Sequence, residues 1–213
     1  MTADNRPKQR HYGGQSMEKR RNDRRQKIML AAKQVIGEQG FQATTVKKIC
    51  RQAQLTERYF YESFENLNEL FDAVYDIELD RLRETLLTAI LGAGPKPEAM
   101  ARKGLEALFR FFKQDPNVAR MLLIEVYSTQ QDLMRLYKRG VQDFAELIRL
   151  VLDKQPRLQA HATLDSGLIA TAMVGAMTQL ALRWYLSGYE QSQAVMVENS
   201  MLIITAMSDK LVG

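Results

Sequence analysis

Few residues of this chain have the types and spacing that catalysis or metal binding requires. Cys50 is the single cysteine, and the two histidines, His11 and His161, are too far from it in sequence for any usual set of zinc ligands. Asp165 and Ser166 lie near His161, but no nucleophile elbow, glycine-rich phosphate loop or metal motif accompanies them. The sequence therefore predicts a protein that is not an enzyme and that carries no metal or cofactor.

The charged residues favour the binding of a polyanion. Residues 1–27 contain nine Lys or Arg and three Asp or Glu, so this end carries +6, whereas the rest of the chain carries −1. A basic end on a nearly neutral body favours DNA as a partner, because release of counterions from phosphates supplies most of the sequence-independent affinity. The charge alone leaves a merely solvated tail as an equally open alternative.

Three predicted helices in the N-terminal part would position DNA-binding side chains. Apolar residues recur at helical spacing up to Gly40, which suits a left-handed C-cap. Thr44 or Thr45 can cap a short second helix, and Thr56 can cap a third over residues 57–62. The second and third helices share an apolar inner side, formed by Val46, Ile49, Ala53, Leu55, Phe60 and Phe64. This pattern predicts a helix-turn-helix, in which one short helix braces another in the DNA major groove.

The remainder of the chain is also predicted to be helical, since no strand-like alternation appears. Asn66 and Glu69 form a pattern like a capping box at the start of a long helix, and Pro97 and Pro116 suit the first turns of the next two helices. The predicted helices of this part cover residues 67–91, 97–113, 116–127, 130–153 and 162–186, with a last one from Ser192. The fold class that we expect is all-α, with about nine helices.

These patterns divide the chain into three parts. We expect a disordered basic arm over residues 1–22, a helix-turn-helix DNA-binding domain over 23–71, and a helical domain for ligand binding and dimerisation over 72–213. No apolar run reaches the roughly 20 residues needed to span a bilayer, and the N-terminus lacks the apolar stretch of a signal peptide. The sequence therefore predicts a cytoplasmic protein that has no membrane partner.

Over residues 24–71 the chain resembles the tetracycline-repressor (TetR) family of bacterial transcription regulators. The motifs that carry the resemblance are Gly40-Phe41, Thr44-Thr45-Val46, Ile49-Cys50, Ala53, Leu55-Thr56, Phe60-Tyr61, Phe64 and Glu69-Leu70-Phe71. The resemblance implies a sequence-specific DNA-binding homodimer. It also implies a repressor, the default in this family, that a small molecule releases from a near-palindromic double-stranded operator.

The resemblance further implies which residues contact phosphates. Thr45 and Thr56 are expected to do so at the starts of their helices, where the positive end of a helix attracts anions. Tyr61 matches a phosphate-contacting tyrosine of the family. Lys47 and Lys48, beside the second helix, are expected to add positive charge at the backbone of the duplex.

Other residues of the same segment are expected to read bases. Arg58 and Tyr59 match positions that face base edges or the thymine methyl group. Arg58 can donate to O6 and N7 of guanine, and Glu57 can accept from the amino group of cytosine. Arg24 and Arg25, together with the arm before them, are candidates for the minor groove, because narrow A-tract grooves attract arginine.

Three residues depart from the family pattern. Gln54 stands where glycine is usual, so a left-handed backbone there costs about 1 kcal/mol. Ser63 replaces a tyrosine, and Leu67 replaces a lysine that often reaches phosphate, so the chain lacks two phosphate-contacting side chains of the family pattern. These departures keep an alternative open, namely a helical ligand-binding or adaptor protein whose helix-turn-helix does not bind DNA.

The C-terminal body is rich in methionine and aromatic residues. Such residues are typical of a core, and they also suit a pocket for a largely apolar small molecule, which the resemblance implies between the middle helices. The candidate ligand-binding residues are Phe109, Met121, Glu125, Tyr137, Phe144, Met173 and Met177. Glu125 lies in an apolar run, so it must face water, pair with an arginine or meet a cationic ligand. By resemblance, the last two long helices pair with their copies in a four-helix interface.

Overall fold

The structure, a computed structural model, describes residues 17–128, 138–152 and 164–212. Every regular element in these ranges is helical, which confirms the all-α class. The α-helices are α1 (Met17–Gln39), α2 (Val46–Ala53), α3 (Glu57–Tyr61), α4 (Leu67–Leu91), α5 (Pro97–Gln114), α6 (Pro116–Leu123), α7 (Asp143–Leu152), α8 (Ser166–Leu186) and α9 (Gln193–Val212). A 3-10 turn, Glu125–Tyr127, follows α6, and a π-helical turn, Lys138–Gln142, leads into α7.

Local capping signals place the ends of the N-terminal helices. Gly40 has a φ of 86°, and its N–H donates to the Ile36 carbonyl at 2.8 Å, so the left-handed end of α1 is confirmed. Thr45 caps α2 by accepting from the Lys48 N–H at 3.2 Å. Gln54 ends α2 with a φ of 55°, the left-handed conformation expected at this position.

The start of α1 differs from the expectation. The helix begins at Met17, so residues 17–22 of the predicted disordered arm are helical, whereas residues 1–16 lie outside the described residues. A side chain of this added segment has a partner elsewhere in the fold, because Arg21 Nη2 donates to the Glu62 carbonyl at 3.1 Å. A contact between residues this far apart in sequence cannot be inferred from local periodicity.

The end of α6 also differs from the expectation. The sequence predicts one helix over residues 116–127, but α6 ends at Leu123, and Ile124 adopts a non-helical φ of −124° before the 3-10 turn. This break directs the Glu125 side chain inward, where its carboxylate accepts from the Phe41 N–H at 2.8 Å. A tertiary hydrogen bond therefore accompanies the break in the helix.

Two apolar clusters organise the interior of the described residues. The larger is continuous from α1 through α6 and on to α8 and α9, and it crosses the predicted domain boundary after Phe71. The smaller lies between α7 and α8, around Ala145, Met173 and Val174. Because the helix-turn-helix shares a core with the body, movement of the body is physically coupled to the orientation of α1–α3.

Helices α1 and α6 meet in close contact at a glycine. A Cβ atom added at Gly37 would lie 2.2 Å from Asn117 Cβ, so only glycine allows this approach. The contact fixes α6 of the body against the C-terminal half of α1. None of the described helices is both long and apolar enough to cross a membrane.

Candidate nucleic-acid interface

Helix α3 separates an apolar inner side from a polar outer side. Phe60 is fully buried and Phe64 is 2% exposed, so the two rings anchor the helix to the N-terminal core. On the outside, the Arg58 side chain is 84% exposed and Tyr61 is 59% exposed. Glu57 is also exposed. A helix with this distribution can enter a major groove about 12 Å wide without losing its own core contacts.

The candidate phosphate-binding residues lie at the starts of α2 and α3. Thr45, Lys47 and Thr56 are exposed. Thr56 is the N-cap residue of α3, but its side chain makes no capping hydrogen bond, contrary to the expectation. The free N–H groups in the first turn of a helix are donors for an anion, so the position still suits a phosphate.

Lys48 is more constrained than expected. Its Nζ donates to Gln39 Oε1 and to the Ala43 carbonyl, each at 2.7 Å. An ammonium group has three donors, so two of them bind the α1–α2 connection. Lys48 therefore holds the start of α2 against the end of α1.

Arg25, a candidate for the minor groove, makes contacts within the chain. Its Nη1 donates to the Ser63 carbonyl at 2.8 Å, and its guanidinium lies 4.1 Å from the centre of the Phe64 ring. The group is half-buried and holds the segment after α3 instead of projecting toward solvent. The sequence contains no local signal for this contact, because 38 positions separate the hydrogen-bonding partners.

Tyr59 carries a similar contact that sequence reasoning missed. The Arg24 guanidinium lies 4.5 Å from the centre of the Tyr59 ring, and Tyr59 is half-buried. The ring is thus partly covered by α1. Among the candidate base-reading residues, Glu57 and Arg58 are the more accessible.

Glu125, a candidate ligand residue, instead joins the body to the N-terminal part. Its buried carboxylate accepts from the Phe41 N–H and from Arg120 Nε, both at 2.8 Å. Arg120 Nη1 also donates to the Glu38 carbonyl at 3.1 Å. Of the three alternatives expected for Glu125, the structure shows the one in which it pairs with an arginine. Both carboxylate oxygens are thus engaged in joining the turn after α6 to the segment after α1.

A cluster of charged residues, not foreseen from the sequence, lies beside that contact. Lys33 Nζ of α1 is 3.2 Å from Glu78 Oε1 of α4 and 3.1 Å from Asp115 Oδ2, the N-cap of α6. Arg81 Nη2 lies 2.8 Å from Glu78 Oε2. The side chain of Glu78 is 8% exposed, so its charge needs these cations. The cluster joins the three helices that connect the body to the helix-turn-helix.

The other candidate ligand residues fall into two groups. Phe109, Met121 and Met177 belong to the larger cluster, and the Phe109 ring packs edge-on against Trp184 at 5.5 Å. Met173 belongs to the smaller cluster, and Phe144 packs against both clusters. Tyr137 lies outside the described residues. The structure therefore places Phe109, Met121 and Met177 in the main core and Met173 in the smaller cluster, with Phe144 packed against both.

The described residues hold no group of three or more His, Cys, Asp and Glu side chains that could bind a metal. Cys50 is buried. Burial, with a smaller contribution from the Glu57 carboxylate, raises the pKa of the Cys50 thiol. A thiol with a raised pKa is a poor nucleophile at neutral pH, so Cys50 acts as a small core residue.

Residues 28–74, which include α2, α3 and the start of α4, match the family model described as bacterial regulatory proteins, tetR family. Residues 28–74 are thus similar to the DNA-binding segment of TetR-family regulators. The chain is 24% identical over 185 residues to the HTH-type transcriptional activator FasR of Mycolicibacterium smegmatis, across 86% of this chain and 83% of that protein. It is 23% identical to the uncharacterised HTH-type transcriptional regulator YdgC of Bacillus subtilis, across 87% of this chain and 93% of that protein.

Solved structures of similar fold include two proteins named FadR. The fatty acid degradation regulator FadR from Bacillus halodurans superposes with a TM-score of 0.72 at 18% identity, across 89% of this chain and 95% of that one. FadR from Bacillus subtilis, solved in complex with stearoyl-CoA, gives 0.71 at 17% identity, across 88% and 97%. At these identities the likeness establishes the fold, a helix-turn-helix on a helical body. The chain is a DNA-binding transcriptional regulator with that architecture.

Proposed function

We propose that this protein is a homodimeric repressor of the TetR family that binds a near-palindromic operator through α2 and α3 and releases it when an apolar effector enters the body. The observation that carries the proposal is the outer side of α3, where Arg58 and Tyr61 are exposed above the buried Phe60. A regulator that acts on bacterial chromosomal DNA works in the cytoplasm. The activity that we propose is binding alone, without catalysis.

We assign base contacts and phosphate contacts to different residues according to their side-chain chemistry and exposure. Arg58 reads guanine through two N–H donors, and Glu57 accepts from a neighbouring cytosine amino group. Tyr61 and Thr56 bind phosphates, and so do Thr45 and Lys47 on the adjoining helix. Phosphate contacts set the register of the protein on the duplex, whereas base contacts select the sequence.

Exposed apolar side chains on α8 and α9 support the homodimer. Leu168 is 72% exposed and Leu186 is 66% exposed on α8, and Leu202 is 68% exposed on α9. Val195 of α9 is exposed to 46%. A two-fold pairing of these helices with their copies would bury them in a four-helix interface. Two α3 helices related by that axis would reach half-sites about 34 Å apart, which is why we propose a near-palindromic operator.

We further propose that the effector carries a long acyl chain. The supporting residues are Phe144 and Met173, beside a π-helical turn of the kind that often marks functional sites. Methionine and phenylalanine adapt to a flexible hydrocarbon chain. The names of the structural relatives refer to fatty acid degradation and to stearoyl-CoA. We therefore propose a long-chain acyl-CoA as the effector class.

The proposed route from effector to DNA passes through the middle helices, α6 and α4. Glu125 and Arg120 fasten α6 to the end of α1, and Lys33 fastens α1 to α4 and α6. A ligand that moves α6 would therefore tilt α1–α3 and change the spacing of the two α3 helices. The ligand must bind the two states with different affinity, typically by about 1–3 kcal/mol.

One experiment tests first whether the protein binds DNA and then whether a ligand controls that binding. The full chain selects duplexes from a random-sequence pool, and the affinity for the enriched duplex is measured at several salt concentrations. We expect a near-palindrome and a steep loss of affinity with salt. Stearoyl-CoA should then weaken operator binding about 5- to 150-fold, whereas CoA alone should not.

Each arm has an outcome that contradicts the proposal. If the pool yields no enriched sequence, the alternative of an adaptor that does not bind DNA is favoured. If stearoyl-CoA binds the protein without changing operator affinity, the proposed effector is wrong. If it strengthens binding, the direction of regulation is the reverse of the one proposed, a relevant outcome because the relative FasR is named an activator.

A further inference from the structure

The C-terminal end of α3 is held by arginines of α1. Arg21 Nη2 donates to the Glu62 carbonyl at 3.1 Å, and Arg25 Nη1 donates to the Ser63 carbonyl at 2.8 Å. Carbonyls at the end of a helix have no partners within that helix and carry partial negative charge, so cations stabilise them. Five residues are too few for a helix to be stable alone. These two contacts with α1 therefore act together with the buried Phe60 and Phe64 rings to orient α3.

The Glu62 side chain occupies a central position at this end. Its Oε1 accepts from Arg58 Nε at 3.0 Å, and its Oε2 lies 3.8 Å from Arg24 Nη2. The Arg24 guanidinium also covers the Tyr59 ring. A single carboxylate thus neutralises part of two arginine charges, one of them on the exposed outer side of α3.

We propose that Glu62 is a specificity-determining residue that competes with DNA phosphates for Arg58 and Arg24. The proposal rests on the proposed function of α3 as the DNA-reading helix. In the free protein Glu62 keeps Arg58 along the helix. On DNA of any sequence, a phosphate competes with Glu62 for the charge of Arg58, and a Glu62 carboxylate that loses Arg58 faces the phosphates without that partner.

The competition weakens non-specific binding more than operator binding. Non-specific affinity comes almost entirely from cations on phosphates, so it falls when a carboxylate holds those cations. At the operator, Arg58 exchanges Glu62 for two acceptors on guanine, which a phosphate does not reproduce. The Arg58–Glu62 pair is exposed and spaced i,i+4, and such pairs are weak enough to open in this exchange. Glu62 therefore increases the ratio of operator affinity to non-specific affinity.

Glu62→Gln tests this role, with Glu65→Gln as a matched control. Both variants remove one negative charge near α3, but Glu65 makes no ion pair with any residue that the structure describes. Each full-length variant is titrated against a random-sequence 40-bp duplex, and against the duplex that the wild type enriches, at several salt concentrations. Circular dichroism and thermal unfolding check that the fold is retained.

We expect Glu62→Gln to strengthen binding to the random duplex about 5-fold. Its slope of log affinity against log salt should steepen by about 0.9 for each additional phosphate contact. Operator affinity should change less, so that the ratio of the two affinities falls about 3-fold. In the Arg58→Ala background, Glu62→Gln should produce a smaller gain, because one of the two competing cations is absent.

Three results would overturn the proposal. If Glu62→Gln and Glu65→Gln shift both affinities equally, Glu62 acts only through total charge. If Glu62→Gln weakens binding to both duplexes and lowers the melting temperature of the protein, the role of Glu62 is only to stabilise α3. If the gain is unchanged in the Arg58→Ala background, Arg58 is not the cation released. The random-duplex arm needs no operator, so a failure of sequence selection refutes the proposed function while this competition is still measured.

Discussion

Arg58 and Tyr61 lie near each other on the exposed side of α3, but their chemistry differs. The guanidinium of Arg58 can donate two parallel hydrogen bonds to one guanine, whereas the Tyr61 hydroxyl makes a single hydrogen bond that suits a phosphate oxygen. The first interaction depends on the base pair and the second does not. Mutations at the two positions should therefore change DNA binding in different ways.

Tyr61→Phe should weaken binding to every duplex by a similar factor, because it removes one phosphate hydrogen bond worth about 1 kcal/mol. Arg58→Ala should cost about 1–3 kcal/mol at one base pair and relax the preference there. Binding to a panel of operators with single base-pair changes measures both effects. The same uniform loss for both variants would show that the division of roles is wrong.

The raised pKa of the buried Tyr75 predicts that the stability of the protein depends on pH in the alkaline range. Burial, followed by smaller contributions from Tyr127 and Asp76, raises the pKa of the Tyr75 phenol to about 12. In the unfolded chain the phenol titrates near 10, so the folded state binds the proton more tightly between pH 10 and 12. The contribution of Tyr75 to stability is complete below pH 10 and is lost as pH rises through that window.

Tyr75→Phe should therefore reduce the loss of unfolding free energy above pH 10, by up to about 1.4 kcal/mol per pH unit. The ring remains, so its packing with Phe71 should be retained. Urea unfolding at pH 9, 10 and 11 measures the slope. Tyr61→Phe, at an exposed position, is the control and should keep the wild-type slope. Equal slopes for all three proteins would contradict the prediction.

At the scale of elements, the contact between α1 and α6 determines how the helix-turn-helix sits on the body. Gly37 of α1 allows Asn117 of α6 to approach closely, and Gly40 ends α1 beside Arg120. A Cβ at Gly40 would lie 2.7 Å from Arg120 Nη2, in addition to the strain of a φ of 86°. Gly37 thus serves a tertiary contact, and Gly40 serves a tertiary contact as well as the left-handed end of α1.

Glu125→Ala should lower the free energy of unfolding by about 2–4 kcal/mol, because it leaves the Phe41 N–H and the Arg120 guanidinium without their buried acceptor. Urea unfolding measures the change. The control Glu146→Ala removes an exposed pair with Arg149 and should cost no more than about 0.5 kcal/mol. Similar losses for the two variants would show that Glu125 contributes no more than a surface pair.

At the scale of the whole molecule, the arrangement of two α3 helices depends on the association of two chains. The apolar residues that α8 and α9 expose are positioned to supply that association. An operator with two half-sites is bound tightly only if one dimer reaches both, since the second contact is then intramolecular. Dimerisation and operator affinity should therefore be lost together.

Leu202→Asp should convert the dimer to monomer and weaken operator binding at least 10-fold, because it places a charge at the centre of the proposed interface. Leu202 is 68% exposed in the single chain, so the substitution should not unfold it. Sedimentation velocity and operator titration measure the two effects. Leu91→Asp, a substitution at a 75% exposed leucine at the end of α4, is the control and should remain dimeric. A dimeric Leu202→Asp variant would place the interface elsewhere.

Local physical chemistry made much of this protein predictable from its sequence. The caps Thr45 and Asn66, the left-handed Gly40 and Gln54, and the prolines that begin α5 and α6 act within one helical turn, so neighbouring residues are enough to reveal them. The apolar periodicity of α2 and α3 likewise predicted a helix-turn-helix with a polar outer side. Arg58 and Tyr61 are exposed as this pattern predicts, whereas Tyr59, also expected on the outer side, is half-buried.

Tertiary structure alone decided which charged residues are engaged. Hydrogen bonds join Arg25 to Ser63, Glu125 to Phe41 and Lys33 to Asp115, pairs that are 38, 84 and 82 positions apart in the sequence. Partners so distant become neighbours only when helices pack, and packing depends on shape and burial that no local pattern encodes. For this reason the sequence determined the helices and the outer side of α3. The packing of α1 against α3 and α6 determined that Arg25 and Glu125 hold the fold together.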